Sequence, residues 1–110
     1  KLEGFDWDDG NQSKSLKKHG IMPLETEEAF FNFYLVFPDQ RHSTIESRYG
    51  MYGKTNTGKI LFIAFTIRGQ RIRVISARPA SKKERNSYRN NRRIRRQIRI
   101  RRSHSQYIFY

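Results

Sequence analysis

The chain contains no cysteine, which excludes a disulfide framework and a cysteine-ligated zinc site and leaves the redox compartment unread. Long apolar runs are missing too: Ile60 to Ile67 is only strand-sized, so no membrane contact is expected. With neither a secretory signal nor an initiator methionine at Lys1, a trimmed start and a soluble, cytoplasmic protein are expected. No HExxH pattern, glycine-rich phosphate loop, nucleophile elbow or obvious carboxylate pair occurs, so neither a metal nor a cofactor is expected. Acid is missing from the far end. Arg89, Arg92, Arg93, Arg95, Arg96, Arg99, Arg101 and Arg102 follow one another to Tyr110 with no Asp or Glu between them.

What is present is positive charge around a moderately basic body. The formal net charge is +13 over 110 residues, and removing those eight arginines leaves +5 for residues 1 to 88. A chain of this length holds one core and one domain. Excess Lys and Arg interspersed with Tyr and Phe is the composition of a nucleic-acid binder, against the plainer reading of a solvated basic surface.

The organising stretch is Lys59 to Arg78, KILFIAFTIRGQRIRVISAR, two apolar strands joined at Gly69-Gln70. Glycine at the first of two loop positions suits a type II′ hairpin. Closing that turn gathers Leu61, Ile63, Phe65, Ile67, Ile72 and Val74 on one face, and Thr66, Arg68, Arg71 and Arg73 on the other, with Ile60, Phe62 and Ile75 further along. A core on one side and an anionic partner on the other follow from that division.

Around the hairpin the pattern alternates helix and strand signals. Asp8 or Asp9 can cap a helix in which Lys17, Lys18 and His19 complement the negative dipole end and Gly20 supplies the stop. Pro23 suits the first position of a second helix, with Glu25, Glu27 and Glu28 in or near its first turn and an end near Asn32. Phe33 to Phe37 and Arg48 to Lys54 read as strands, with Pro38 stopping the first, and Thr55-Asn56-Thr57-Gly58 turns into the hairpin. Ser81 and Glu84 form a capping box for a helix from residue 82 to about 90. Beyond Asn91 the period fits helix and strand alike. The expected architecture is α+β: two N-terminal helices, an antiparallel four-stranded sheet and a C-terminal helix, with residues 1–89 as the domain and residues 90–110 as an arginine-rich extension.

Cleaving RNA without a metal requires a base for the 2′-hydroxyl, cations for the phosphate and an acid for the leaving oxygen. His19 is a candidate base, against its alternative as a dipole partner at a helix end. His42 and His104 read as surface residues. Arg68, Arg71 and Arg73 are candidate anion ligands, against a solvated strand face. Simple alternation places Arg78 on the core face, so it must emerge past the core's edge or find a partner.

Trp7-Asp8, Lys18-His19-Gly20, Glu46-Ser47-Arg48-Tyr49, Gly58-Lys59, Thr66-Ile67-Arg68-Gly69, Arg71 to Arg78 and Lys83-Glu84-Arg85-Asn86-Ser87-Tyr88 together resemble the BrnT family of bacterial type II toxins, in the family's order over about residues 4 to 89. The resemblance implies a RelE-like α+β fold, metal-independent cleavage of RNA that shuts down translation, and neutralisation by a BrnA-like ribbon-helix-helix antitoxin. Through the antitoxin dimer a heterotetramer is expected, with DNA met only indirectly. The family's two-arginine pattern carries over to Arg68 and Arg78, with Lys18 and Tyr88 as further catalytic candidates and Arg48, Arg71, Arg73, Arg85 and His19 as RNA contacts. Ile67, where an acidic residue is common, and the long tail are departures. A regular hairpin would put Arg68 and Arg78 on opposite faces, so a shared site requires the last strand to bulge or end near Ser76-Ala77. A non-catalytic RNA-binding module and a protein-docking role are the competing readings.

Overall fold

The computed structural model describes residues 2–42 and 46–98. Short helices α1 (Asp9–Gln12), α2 (Lys14–His19) and α3 (Pro23–Ala29) precede the strands β1 (Tyr34–Pro38), β2 (Arg48–Lys54), β3 (Ile60–Arg68) and β4 (Arg71–Pro79), and α4 (Lys82–Ile98) follows. The strands form one antiparallel meander in the order β1-β2-β3-β4. No described helix is long and apolar enough to cross a membrane.

The first expected helix is broken in two at Ser13. Asp8 caps α1 through the Gly10 and Asn11 amides, and the buried Asn11 side chain donates to the Asp6 and Val74 carbonyls. Those bonds tie the first turn to the sheet edge, and α2 restarts at its own angle. Its stop is the one expected: Gly20 adopts φ 71, and its N–H reaches the Leu16 and Ser15 carbonyls. The Pro23 helix closes at Ala29, before Asn32, whose amide donates instead to the Lys54 carbonyl. Pro38 does not stop β1 but pairs within it opposite Tyr49, which an edge strand tolerates.

The inner face of the sheet carries the core. Met51, Leu61, Ile63, Phe65, Ile72, Val74 and Ala77 meet Ile21, Ala29 and Phe30 from the helix layer, with Phe30 packed edge-on against Phe65 at 5.3 Å. The close approach of α3 depends on Gly53, where a Cβ would lie 2.9 Å from the Ala29 carbonyl oxygen. One contact had no sequence signal: residues 3 to 6 run beside β4 in parallel, with Phe5 bridged to Ile72, and cover the sheet's edge.

The outer face is only partly covered. Ile60, Ala80 and Tyr88 form a small second core with Phe33, Leu35 and Tyr52, and this anchors the start of α4. Ser81 and Glu84 cap that helix reciprocally as expected, and it runs through residue 90 to Ile98 without a break.

The hairpin closes as the sequence implies, with Arg68 opposite Arg71 and Gly69 at φ 62, a value the first loop position of a primed turn requires. Pairing then slips once. Phe65 faces Val74 but Ala64 faces Ser76, leaving Ile75 as an extra residue. Ala77 therefore takes the core position and Arg78, opposite Phe62, takes the outer face.

Candidate nucleic-acid interface

Side chains on the outer face fall into rows across the strands, fixed by the pairing. Tyr52, Phe62 and Arg78 make one row; Gly50, Ala64 and Ser76 the next; Arg48, Thr66 and Arg73 the third; Arg68 and Arg71 the last, at the turn. The face thus has an aromatic end next to α4 and an arginine end next to the hairpin turn.

At the aromatic end, Phe37, Tyr52 and Phe62 cluster, with ring centroids 5.1 Å apart for Phe37–Tyr52 and 6.4 Å for Phe37–Phe62. Phe37 lies across Gly50, where a Cβ would collide with its ring. The Arg78 guanidinium sits 4.4 Å above the Phe62 centroid, a cation–π distance. It also donates to both oxygens of Glu84, at 2.8 and 2.9 Å. Glu84 simultaneously accepts from the Ser81 amide, and the Arg78 bond, ahead of the capping bonds, holds its carboxyl at about 2.

At the arginine end, carboxylates from two remote segments meet the cations. Glu46 accepts from Arg68 Nη2 at 3.1 Å and Nε at 3.4 Å. Arg73 reaches Asp8 at 3.0 Å and Asp6 at 3.5 Å. The Arg68 hydrogen bond, followed by the fields of Arg68, Arg48 and Arg73, lowers the Glu46 carboxyl below its ordinary range. Thr66, buried between the two arginines of its row, donates to the Ser47 carbonyl at 2.6 Å and fixes the entry to β2.

Arg68 and Arg78 thus share a face but not a position. Phe62, the partner of Arg78, and Arg68 are six residues apart on β3, roughly 20 Å at about 3.3 Å per residue. Each guanidinium is held by its own carboxylate, Arg68 by Glu46 and Arg78 by Glu84.

The remaining expected site residues scatter. Arg48 and Arg73 join Arg68 on one face, and Arg71 is exposed beside the turn. Lys18 and His19 are exposed on α2. This helix packs beside β4, with the Ala77 amide donating to Ser15 Oγ. Arg85 donates to the Ala80 carbonyl. Tyr88 is fully buried, and its hydroxyl donates to the Phe33 carbonyl at 2.9 Å; burial raises its pKa. The structure therefore gives Tyr88 the work of anchoring α4. His104, the arginines from Arg99 onward and Tyr107 to Tyr110 lie outside the described residues.

Sequence reasoning missed the carboxylates. Glu46 stood inside a quoted motif and Glu84 inside a capping box, but nothing local marks either as an arginine partner. The aromatic row was half legible, since Phe62 alternates outward, while Phe37 and Tyr52 join it only through strand pairing. Among the described residues no group of three or more His, Asp or Glu is placed to hold a metal.

Comparison with known families yields one finding. A family model described as "Ribonuclease toxin, BrnT, of type II toxin-antitoxin system" matches residues 7–84, well over half of the chain and the whole of the sheet. No curated protein matches.

Proposed function

The chain belongs to the BrnT family of ribonuclease toxins of type II toxin-antitoxin systems, and from that premise we propose that it is a metal-independent endoribonuclease that arrests translation in the cytoplasm. The observation that carries this reading is the outer sheet face, where Arg48, Arg68 and Arg73 gather at one end and Arg78 beside Phe37, Tyr52 and Phe62 at the other. Guanidiniums on a scaffold of paired strands can hold a phosphoryl group as negative charge grows on its oxygens, without a metal. Aromatic rings alongside offer stacking for unpaired bases, which favours single-stranded RNA.

Within this reading Arg68, with Arg48 and Arg73, binds the scissile phosphate, and Arg78 holds a neighbouring stretch of the strand. Arg71 supplies background charge, and Lys18 and His19 are further RNA contacts from α2. A BrnA-like ribbon-helix-helix antitoxin neutralises the enzyme by covering the same arginines, and its dimer joins two toxins in a heterotetramer that meets DNA through the antitoxin.

Purified protein should cleave single-stranded RNA in the presence of EDTA, and its expression should arrest growth. An Arg68→Ala/Arg78→Ala double variant should do neither. RNA that is bound but left intact would instead favour a non-catalytic binding module, a reading helped by the exposed Lys82, Lys83 and Arg89 on α4.

A further inference from the structure

Cleavage at this face needs a proton acceptor for the 2′-hydroxyl, and the outer face has few candidates. Four carboxylates are held by its arginines: Asp6, Asp8, Glu46 and Glu84. Glu84 is committed on both oxygens to Arg78 and on one of them to the Ser81 amide, joining β4 to α4, and its side chain is only 18% exposed. Asp8 spends one oxygen on the α1 amides and the other on Arg73. Asp6 faces Arg73 at 3.5 Å from the segment that covers the sheet's edge. Glu46 differs from all three. Its two contacts with Arg68, at 3.1 and 3.4 Å, are longer than those of Glu84 with Arg78, its side chain is 41% exposed against 18% for Glu84, and Arg48 and Arg73 are close enough to act on its charge.

We propose that Glu46 is the general base of the ribonuclease, acting among Arg48, Arg68 and Arg73. A phosphate of the RNA backbone displaces the carboxylate from Arg68 and takes its place against the guanidinium, leaving Glu46 beside the preceding ribose. Glu46 then takes the proton from the 2′-hydroxyl. The 2′ oxygen bonds to phosphorus, the bond from phosphorus to the 5′ oxygen breaks, and that oxygen leaves with a proton from water. The products are a 2′,3′-cyclic phosphate and a 5′-hydroxyl end, and Glu46 returns its proton to solvent. Surface ion pairs of this exposure are weak, about 0–1 kcal/mol, so the exchange of carboxylate for phosphate on Arg68 costs little. The same cations that lower the Glu46 carboxyl receive the charge that moves from the ribose oxygen to the phosphoryl group.

This assignment rests on the ribonuclease reading, and two measurements separate their failures. The first is single-turnover cleavage of an RNA oligonucleotide by wild type, Glu46→Gln and Glu46→Asp. The second is binding of the same oligonucleotide with 2′-O-methyl groups, which cannot be activated for attack. Glu46→Gln should lose at least about 100-fold in cleavage and bind the methylated strand as tightly as wild type or more so, since Arg68 is then unpaired from charge. Glu46→Asp should retain part of the rate and an acidic limb in the pH profile that Glu46→Gln lacks. Cleavage by Glu46→Gln within about threefold of wild type, roughly 0.65 kcal/mol, would overturn the assignment, as would a parallel loss of binding and cleavage. Wild type that binds RNA without cleaving it would remove the ribonuclease reading and the base together.

Discussion

Arg68 and Arg78 stand on the same face of one hairpin, each with a carboxylate against its guanidinium, and differ in everything that surrounds the pair. The Arg68–Glu46 pair is open to solvent, with side chains 52% and 41% exposed. The Arg78–Glu84 pair is less open, 37% and 18%, and it lies over Phe62 while closing the capping box of α4. An open pair can exchange its carboxylate for a phosphate at little cost. A pair built into a helix start cannot, because releasing it undoes bonds between two elements. On the proposed function, one arginine serves the chemistry and the other holds the fold and the flanking strand.

That contrast predicts separable phenotypes. Arg68→Ala should show the largest effect, a fall of roughly 10²–10³ in single-turnover cleavage, with thermal stability unchanged within about 0.5 kcal/mol. A matching loss of stability would erase the distinction. Glu84→Gln should reverse the pattern, costing about 1–3 kcal/mol in urea unfolding while lowering cleavage less than Arg68→Ala does.

Acid should act on the same end. The Glu84 carboxyl is lowered from 4.5 to about 2 in the folded protein, so its contribution is fully present above about pH 4.5 and is lost as pH falls toward 2. Circular dichroism of wild type and Glu84→Gln should show a pH dependence in that window that only wild type has. Identical curves would mean the pair does not hold α4.

Between the two ends, Gly50→Ala should displace Phe37 and cost about 1–3 kcal/mol by overpacking, with weakened binding of single-stranded RNA. The smallest effect belongs to Arg71→Ala, which should leave stability within about 0.5 kcal/mol and flatten the salt dependence of RNA binding by roughly 0.7 in the log–log slope. A loss of cleavage comparable to Arg68→Ala would move Arg71 into the site.

Much of this architecture is legible from local chemistry. The Gly69-Gln70 turn, the Gly20 stop, the Pro23 start and the Ser81/Glu84 box each depend on residues within one turn of each other, and each forms as their types require. Even the bulge was accessible, because two arginines expected on one face could not both be there in an uninterrupted ladder. What escaped depends on distant encounters. Phe5 beside Ile72, Asn11 on the Val74 carbonyl and Glu46 against Arg68 join residues whose separation leaves no periodic trace. Tyr88 shows the opposite limit: its motif invites a catalytic role, and only packing against Phe33 reveals a buried anchor. The irregularity expected near Ser76-Ala77 is there, and it brings Arg78 to the face that carries Arg68, with their backbone positions roughly 20 Å apart along the sheet.

The extra residue at Ile75 means that Arg78 reaches the outer face by count rather than by its own chemistry. Every position from Ser76 to Pro79 owes its facing to one unpaired residue upstream. Removing Ile75 would leave a regular ladder with Ser76 still opposite Ala64 and Arg78 still opposite Phe62, whereas pairing Ile75 into the ladder would turn Ala77 to solvent and drive a guanidinium toward Leu61 and Ile63. In this hairpin losing the bulge while keeping its residue acts like a frameshift in space, and the pairing of the loop-to-exit segment is as much a part of the site as the arginines it carries.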